Sequence, residues 1–429
     1  MGRLSRRPRL LFLCQTLPYP PDGGVWIRTY HVLRLLARTF DVTALCFERA
    51  GTAGEYDRAA SREALGRLAE VEVFDIPQRH RRLRFAWDHA RSVARGRVYT
   101  TYLYESAAFR RRLEERVRSQ SFDLVHADSL DLAAYLPALR GLPVVCVHHD
   151  VESALLRRRA ALERSRGRAA YLSHQARLMD AVERHWCERV ALNVTVSESD
   201  AALIRSRVPA ARVAVVPNGV DMDEFQPDGA AGTGVAFVGG TNPFPNHDAL
   251  DFFCGEILPH LRAASGAGPV RWIGRASEEQ QRAYRAAHDV ELTGYTNDVR
   301  PLMGAAACHI VPLRVGGGTR LKILNSWAMG KPVVTTSIGC EGLAARDGVN
   351  LLVRDRPEDF AAAIVQVLRD GDLRRRLGEA GRQTAQRLYS WEVVGEHMTD
   401  LYRNVAAGPT AGPAMDRGPL RAQPRYSHS

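Results

Sequence analysis

The sequence predicts an α/β protein of two Rossmann-like, doubly wound domains that face each other across a cleft. Short apolar runs alternate with longer amphipathic segments, which is typical of parallel sheets covered by helices. The chain has 429 residues, and a domain usually has about 100–200. Apolar residues make up 45% and charged residues 25%, close to globular averages, so the composition supports packed cores.

Eleven apolar runs are predicted to be strands, five in the first half of the chain and six in the second. Between the first two runs, VWIRTYHVLRLLART has apolar residues at helical spacing and is predicted to be a helix. The predicted strands are residues 10–14, 42–47, 71–76, 124–127, 144–149, 235–240, 270–274, 290–294, 308–313, 332–336 and 350–353.

The domain boundary is predicted in PNGVDMDEFQPDGAAGTG, residues 217–234, which is rich in Gly, Pro and Asp and has little apolar periodicity. We expect an N-terminal domain over residues 1–225 and a C-terminal domain over residues 226–386. A C-terminal helix over residues 387–405 would pack back on the first domain. The Gly- and Pro-rich residues 406–429 are expected to be a disordered tail.

The apolar pattern argues against membrane-spanning and secreted proteins. No apolar run reaches the roughly 18 residues of a spanning helix. The run Leu10–Cys14 is shorter than the about 7–15 residues of a signal peptide core, so we predict a first strand there. The seven cysteines lack metal-binding spacing, which predicts buried free thiols in a reducing cytosol, with neither a metal nor a disulfide.

The net charge of +11 comes almost entirely from arginine, since Lys322 and Lys331 are the only lysines. Arginines concentrate between Arg79 and Arg112 and again from Arg157 to Arg168. No nucleic-acid-binding motif or regular aromatic interleaving accompanies them, which argues against a nucleic-acid partner. Aromatic side chains among the arginines favour an anionic membrane surface, so the protein is expected in the cytoplasm, peripherally on the inner face of the membrane. A solvated basic face is the alternative.

Three loops at strand ends carry residues suited to chemistry, because ligands of such sheets bind beyond the carboxyl ends of the strands. In the first loop, Gly23 and Gly24 precede a helix, so bare N–H groups can approach an anion, although an ordinary turn has the same pattern. In the second, His148, His149 and the following carboxylates could position a sugar hydroxyl or move a proton. The alternative is that His148 lies in the core and His149 caps the next helix.

The third loop opens RVGGGTRLKILNSWAMGKPVV, residues 314–334. Its three glycines expose N–H groups and Thr319 can cap the helix that follows. That helix terminus has about half a positive charge, to which Arg320 and Lys322 add two full charges. The site therefore suits a diphosphate better than a single carboxylate. The spacing is not that of a Walker loop, and Gly239, Gly240 and Thr241 do not form a G-x-G-x-x-G fingerprint.

These loops belong to a longer set of motifs in which the chain resembles the retaining, nucleotide-sugar-dependent glycosyltransferases of family 4, with the GT-B fold. The resemblance extends from about Leu10 to Tyr402. Eight motifs carry it in the family's order: LPYPPDGGVWIRTYHVLRLLA, DLVHAD, HHDVE, TVSESDAALI, VVPNGVDMDEFQP, FVGGTNPFPNHDAL, LTGYTNDVRPLM and GGGTRLKILNSWAMGKPVVTT.

The resemblance implies an enzyme that transfers a sugar with retention, without cofactor or metal. Its second domain would hold a nucleotide diphosphate sugar, and its first would face a carbohydrate, lipid-linked or small-molecule acceptor in polysaccharide, lipid-linked or secondary-metabolite glycosylation. No covalent nucleophile is implied, because in the family the acceptor attacks on the face that the diphosphate leaves.

Residue by residue, the resemblance implies that His149 meets the donor sugar while Arg320 and Lys322 stabilise the leaving diphosphate. These three are the expected catalytic residues. The expected donor-binding residues are Gly23, Gly24, Gly239, Gly240, Tyr295, Thr296, Gly317, Gly318, Thr319 and Asn325.

The chain departs from the family pattern in two places. The family usually has two glutamates eight residues apart, where this chain has Gly317 and Asn325, and the amide of Asn325 can still bond a ribose hydroxyl. The family's Arg and Lys after the strand at 235–240 are replaced by TNPFPN, so Arg320 and Lys322 are expected to compensate. Two alternatives remain: a nucleotide-sugar-binding protein that has lost catalysis, and a GT-B nucleotide-sugar epimerase using Asp150 and Glu152.

Overall fold

The chain folds into two compact units. The computed structural model describes residues 6–48, 57–78, 81–229, 232–241, 244–264, 268–316 and 320–408. One unit contains the chain up to Pro217 together with the segment that begins at Gly395, and the other contains Asn218–Val394.

The observed boundary lies eight residues before the predicted one at residue 225. The reason is Val220, which is buried in the core of the second unit and donates its N–H to the carbonyl of Tyr389 at 2.7 Å. Correspondingly, the first unit resumes at Gly395 rather than at residue 387. The predicted tail lies almost wholly outside the described residues.

The first unit is built on a seven-stranded parallel sheet of order β3-β2-β1-β4-β5-β6-β7. Its strands are β1 (Arg9–Cys14), β2 (Asp41–Phe47), β3 (Glu70–Phe74), β4 (Leu124–Ala127), β5 (Val144–His148), β6 (Leu192–Thr195) and β7 (Val213–Val215). Its helices are α1 (Gly24–Leu36), α2 (Arg58–Gly66), α3 (Arg82–Arg95), α4 (Tyr99–Leu103), α5 (Ala107–Ser119), a 3-10 helix (Leu130–Leu139), α6 (Glu152–Leu162), α7 (Arg166–Cys187) and α8 (Glu198–Arg207).

The second unit is built on a six-stranded parallel sheet of order β10-β9-β8-β11-β12-β13. Its strands are β8 (Val235–Val238), β9 (Val270–Ile273), β10 (Val290–Leu292), β11 (Cys308–Val311), β12 (Val333–Thr335) and β13 (Leu352–Val353). The remaining helices are α9 (Phe244–Phe252), a π-helical turn (Phe253–Ile257), α10 (Leu258–Ala263), α11 (Glu278–His288), α12 (Arg300–Gly304), α13 (Leu321–Ala328), α14 (Pro357–Arg369), α15 (Gly371–Leu388) and α16 (Trp391–Ala406), which belongs to the first unit from Gly395.

All eleven predicted strands are present, and most end one or two residues earlier than predicted. Strands β6 and β7 were not predicted from the sequence. The run LNVT of β6 contains Asn193, a polar residue that is fully buried because its amide donates to the carbonyls of Cys187 at 2.7 Å and Arg212 at 3.1 Å. Its place in a strand therefore depends on partners that the local sequence does not reveal.

The strand orders locate the site-bearing edge of each sheet. In the first sheet the direction of winding reverses between β1 and β4, and in the second between β8 and β11. Ligands of doubly wound sheets bind beyond the carboxyl ends of strands at such switch points. The loops that follow these four strands are therefore the places to look for function in each unit.

The cysteines match the prediction of buried free thiols. All seven cysteines are buried free thiols. Within the described residues, no helix combines the length and the apolar content needed to cross a lipid bilayer.

Two buried histidines make the stability of the units depend on pH. The Nε2 of His148 lies 3.0 Å from the Asn193 side-chain oxygen, and that of His309 lies 2.9 Å from the Met303 carbonyl. Burial lowers the pKa of each histidine to about 4. The unfolded chain takes up the proton below about pH 6.5 while the folded protein does not. Each histidine should therefore remove about 3 kcal/mol of stability as the pH falls from about 6.5 to about 4.

Chemical denaturation of wild type and His309→Gln at pH 7 and pH 5 checks this expectation. The difference in unfolding free energy between the two proteins should shrink or reverse at pH 5, because glutamine keeps a hydrogen-bonding amide and takes up no proton. A difference that is the same at both pH values would show that His309 does not titrate in this window.

Candidate active site

A buried carboxylate organises the switch point of the first unit. Asp128 directly follows β4 and is 1% exposed. One of its oxygens accepts a hydrogen bond from the Thr29 hydroxyl of α1 at 2.9 Å and lies 3.4 Å from Nε2 of His149. The other lies 3.3 Å from Nε2 of His126. The carboxylate is thus held between two imidazoles, one of which is the predicted catalytic histidine.

The charge of Asp128 is maintained by these neighbours. Burial alone would raise the pKa of this carboxyl, but attraction to His149 and the contacts with His126 lower it below its ordinary range. Burial also lowers the pKa of His126, which favours its neutral form. The result is an ionised carboxylate, one oxygen of which lies 3.4 Å from Nε2 of His149.

Asp128, His126, His149, Tyr402 and Arg28 are called the first-unit cluster. The last two lie in buried positions around the other three. Nδ1 of His126 lies 2.7 Å from the hydroxyl of Tyr402 on α16. Arg28 of α1 is 2% exposed and donates to the carbonyls of Val216 and Pro217, each at 2.9 Å. Burial lowers the pKa of Arg28 to about 10, so it remains a cation at neutral pH. The hydrogen-bonded row Tyr402–His126–Asp128 leads to His149, whose side chain is 11% exposed.

The two histidines at the end of β5 lie in different surroundings. His148 is 5% exposed and packs against Asn193, as the structural alternative expected for that residue. His149 lies one residue beyond the strand, in contact with Asp128 instead. No role was predicted for Asp128 or His126, although both stand in the DLVHAD motif. The available signal was a carboxylate directly after a buried strand.

The glycine pair after β1 leads into α1, as predicted. Gly23 caps the helix in an extended conformation, and α1 starts at Gly24 with no acidic residue in its first turn. A Cβ atom on Gly23 would lie 2.7 Å from the ring of Trp26, so this position excludes larger side chains. Trp26 in turn donates from its indole N–H to the Thr16 hydroxyl at 3.0 Å. The first turn of α1 therefore contains no acidic side chain that would repel an anion, and the Trp26 indole packs against Gly23.

Lys322, Arg320, Asn246 and Phe237 lie at the switch point of the second unit and are called the second-unit cluster. Lys322 is its centre. It lies in the first turn of α13 and donates from Nζ to the side-chain oxygen of Asn246 at 2.8 Å. Its Nζ also lies 4.0 Å from the centre of the Phe237 ring. The amide of Asn246 donates to the carbonyl of Gly240 at 2.9 Å. Hydrogen bonds therefore connect the helix after β11 to the loop after β8, the two elements that flank the switch point.

The ammonium of Lys322 has no carboxylate partner among the described residues. Burial, and then the positive charge of Arg320, lower its pKa to about 7. A lysine in this state is poorly stabilised as a cation in the free protein. A negative charge placed beside the ammonium would raise this pKa again.

Arg320 adds charge to this cluster from a buried position. Its guanidinium is 7% exposed, donates to the Ile338 carbonyl at 3.2 Å and lies 3.9 Å from the carboxylate of Glu341. A Cβ atom on Gly316 would lie 3.0 Å from Nη2 of Arg320. The absence of a side chain at Gly316 therefore lets the guanidinium approach the backbone of the loop closely. Part of the hydrogen-bonding capacity of Arg320 is therefore used within the protein.

The other predicted donor-binding residues lie at the same edge of the second sheet. Gly239 follows β8 with a φ of 154°, and a Cβ atom there would lie 2.7 Å from the Asn246 amide. The ring of Tyr295, after β10, is 59% exposed and lies 4.7 Å from the guanidinium carbon of Arg275. The Thr296 hydroxyl donates to the carbonyl of Asp298 at 2.9 Å. An exposed aromatic ring beyond a strand end is a surface on which a planar base could stack.

The remaining predicted donor-binding residues lie in α13 or just before it. Asn325 is half-buried in the second turn of the helix, and its side chain makes no hydrogen bond to any residue that the structure describes. Its amide is therefore available to a ligand. Gly317, Gly318 and Thr319 lie outside the described residues.

Comparison with known families gives two matches that follow each other along the chain. The model described as Glycosyltransferase Family 4 matches residues 22–224. The model described as Glycosyl transferases group 1 matches residues 232–370. The first match contains the Asp128 cluster and the second contains the Lys322 cluster.

Curated relatives match over parts of the chain. The lipopolysaccharide core biosynthesis glycosyltransferase LpsE of Rhizobium meliloti is 33% identical over 153 residues, which are 33% of this chain and 42% of the relative. A D-inositol 3-phosphate glycosyltransferase of Geodermatophilus obscurus is 29% identical over 247 residues, 49% of this chain and 54% of the relative. The matched part of this chain spans about half the length of these relatives.

Solved structures match over nearly the whole chain. A sucrose-phosphate synthase from Thermosynechococcus elongatus has a TM-score of 0.67 and 16% identity, covering 94% of this chain and 100% of its own. Anabaena HepE in complex with UDP-glucose has a TM-score of 0.64 and 15% identity, with coverage of 92% and 99%. WaaG, a glycosyltransferase involved in lipopolysaccharide biosynthesis, has a TM-score of 0.61 and 17% identity, with coverage of 92% and 99%. At these identities the likeness shows a shared fold.

Proposed function

Because the chain belongs to the family 4-like glycosyltransferases with the GT-B fold, we propose that it transfers a sugar from a nucleotide diphosphate sugar to an acceptor with retention of configuration. The observation that carries the proposal is Lys322. Its ammonium has a pKa lowered to about 7 and no carboxylate partner among the described residues. A nucleoside diphosphate supplies the negative charge that such a site lacks.

The main task of the second-unit cluster in this proposal is to stabilise the leaving diphosphate. As the bond between the anomeric carbon and the phosphate oxygen breaks, negative charge grows on the diphosphate, and Lys322 is held by Asn246 beside the first turn of α13. Arg320 and the helix dipole add positive potential. Charge stabilisation by groups fixed in advance is the largest single term in many enzymes. We propose that these cationic groups suffice without a divalent metal.

The proposed task of the first-unit cluster is to orient the donor sugar. Asp128 fixes the direction of the His149 ring, which is then able to hold a sugar hydroxyl through its exposed edge. The acceptor oxygen forms the new bond to the anomeric carbon on the face that the diphosphate leaves, and its proton passes to the leaving phosphate oxygen. Retention then requires no nucleophile from the protein.

We further propose a carbohydrate or lipid-linked acceptor and a cytoplasmic site of action. The acceptor class is supported by the relative that acts in lipopolysaccharide core biosynthesis by name. The cytoplasmic site is supported by seven buried free thiols, which are typical of a reducing compartment. Anionic lipid at the membrane surface is proposed as a further partner.

A donor panel tests the proposal directly. The protein is incubated with nucleoside diphosphate sugars of different bases and sugars, with and without candidate glycan acceptors, and release of the nucleoside diphosphate is followed. The proton coupling constant at the anomeric carbon of the product should show the donor's configuration. An inverted product would contradict retention. Tight binding without release would identify a binding protein, and a converted sugar formed without acceptor would identify an epimerase.

A further inference from the structure

Helix α3 has an apolar outer face and a polar inner face, the reverse of an ordinary surface helix. Leu83 is 89% exposed, Trp87 66% and Val93 52%. The inner face carries Asp88 and Ser92, which are 1% and 0% exposed. An apolar helix face turned to solvent needs a partner, because such exposed patches usually mark interaction sites.

Most of the exposed apolar residues of α3 form one continuous stripe, while Phe85, which is 53% exposed, lies on another side of the helix. At about 100° per residue, positions separated by three, four and seven residues share a helix face. Leu83, Trp87, Ala90 and Ala94 follow this spacing, and all four are exposed. Val93 lies beside them on the helix surface. The stripe of α3, defined by these five residues, contains no polar side chain.

Buried hydrogen bonds hold α3 in this orientation. The Gln78 amide donates to the carboxylate of Asp88 at 2.5 Å. The Gln175 amide of α7 donates to the Ser92 hydroxyl at 2.8 Å, and that hydroxyl donates to the Arg97 carbonyl at 2.7 Å. Rotating the helix to bury its stripe would break these bonds and leave buried polar groups unpaired. The outward direction of the stripe is therefore built into the fold of the unit.

Arginines border the stripe. The guanidinium groups of Arg82 and Arg95, on opposite sides of the stripe, have no acidic partner among the described residues. Nδ1 of His89 lies 2.5 Å from the Tyr171 hydroxyl of α7, which brings the arginine-rich start of α7 beside α3. Apolar side chains with an indole ring, flanked by arginines, have the composition of helices that lie in the membrane interface.

The charges decide between a bilayer and a second copy of the chain. A symmetric contact between two α3 helices would cover both stripes but would bring the bordering arginines of both copies close together, and like charges repel. A bilayer that contains anionic lipids offers hydrocarbon to the stripe and phosphates to the arginines at the same time. Such a bilayer therefore provides a partner both for the apolar stripe and for the arginines that border it.

We propose that α3 lies in the plane of an anionic lipid bilayer, with Leu83 and Trp87 among the acyl chains and the bordering arginines on lipid phosphates. Membrane binding of this kind requires no catalytic turnover. It therefore stands independently of the proposed sugar transfer, and it gives a physical reason for a lipid-linked or membrane-surface acceptor.

Co-sedimentation with lipid vesicles tests the proposal. Wild type is expected to sediment with phosphatidylcholine–phosphatidylglycerol vesicles at low salt and to be released as salt rises, because salt screens the arginines. The double variant Leu83→Gln/Trp87→Gln should lower the partition coefficient at least about tenfold, since both apolar groups are lost from the interface. Val349→Gln is the matched control, because Val349 is 53% exposed but lies in the second unit, and its partition should equal that of wild type.

Three results would overturn the proposal. One is wild type that fails to bind anionic vesicles at low salt, and another is a double variant that binds as well as wild type. The third is a dimer in sedimentation velocity that the double variant dissociates while vesicle binding is absent, which would assign the stripe to a contact between copies. Thermal unfolding of each variant shows that it is folded, and nucleoside diphosphate release measured without lipid should be unchanged by all these substitutions.

Discussion

Replacing Lys322 with methionine should lower kcat/KM for a nucleotide diphosphate sugar by about 10²–10³-fold, the loss seen when one fixed donor is removed from a site that stabilises developing charge. The substitution keeps most of the apolar stem beside Phe237 and removes the ammonium that Asn246 positions at 2.8 Å. Steady-state kinetics measures the loss. The free energy of unfolding should change little, because the ammonium is buried and its desolvation cost offsets the interactions that are lost with it.

Lys331 provides the matched control at the other end of α13. It is 6% exposed, donates to the Gly304 carbonyl at 2.5 Å and lies 3.5 Å from the carboxylate of Asp228. Lys331→Met should lower the free energy of unfolding by about 1–3 kcal/mol, because a buried carbonyl loses its donor. Its kcat/KM, corrected for the folded fraction, should stay close to that of wild type. Equal losses of kcat/KM in the two variants would mean that the diphosphate does not bind at the first turn of α13.

Replacing Asp128 with asparagine should lower kcat by about 10²-fold. This factor is at the lower end of the rate contributions of general acid–base groups. Asparagine keeps the shape of the side chain and can accept from the Thr29 hydroxyl, but it lacks the charge that orients His149. Because Asp128 acts through His149, His149→Ala should cost a similar factor, and the double variant should be little worse than either single variant.

A double-mutant cycle in kcat measures this coupling. Losses that multiply in the double variant would show that Asp128 and His149 act independently, against the proposed arrangement. The neighbouring His148 supplies a structural control. His148→Gln should lower stability, because it disturbs the buried bond to Asn193, while leaving kcat nearly unchanged.

The fold could be predicted where burial alone decides the structure. β1 and β11 are almost entirely apolar runs between helical patterns, and they were found with ends correct to within two residues. β6 could not be found this way, because Asn193 is stable in its strand through His148 and the carbonyl of Arg212, which are distant in sequence, and through the carbonyl of Cys187 at the end of the preceding helix. The domain boundary was displaced for a similar reason, since the contact of Val220 with Tyr389 is long-range.

The candidate site shows the same division. His149 is the last residue of a predicted strand, and Lys322 lies in the helix that follows the predicted strand at 308–313. Both are therefore at the edge of a sheet where chemistry is expected from topology alone. The sequence marked Asp128 only by its place directly after a buried strand, and it did not mark Asn246, because both residues gain their roles only when separate loops meet at one edge of a sheet. For Arg320, the sequence indicated a charge but not its burial against the Ile338 carbonyl.

The central claim, that Lys322 holds the diphosphate of the donor, is tested most directly by the affinity of a nucleoside diphosphate as a function of pH. Calorimetric titration with the tightest binder of a panel, from pH 7 to pH 9, compares wild type with Lys322→Met. The pKa of Lys322 is about 7 in the free protein, and the bound phosphates should raise it, so binding takes up a proton above pH 7. Wild-type affinity should then fall by up to about tenfold per pH unit, with a binding enthalpy that depends on the buffer, while Lys322→Met binds more weakly at pH 7 and shows neither effect. A wild-type affinity that stays constant to pH 9, or proton uptake that persists in Lys322→Met, would contradict the claim.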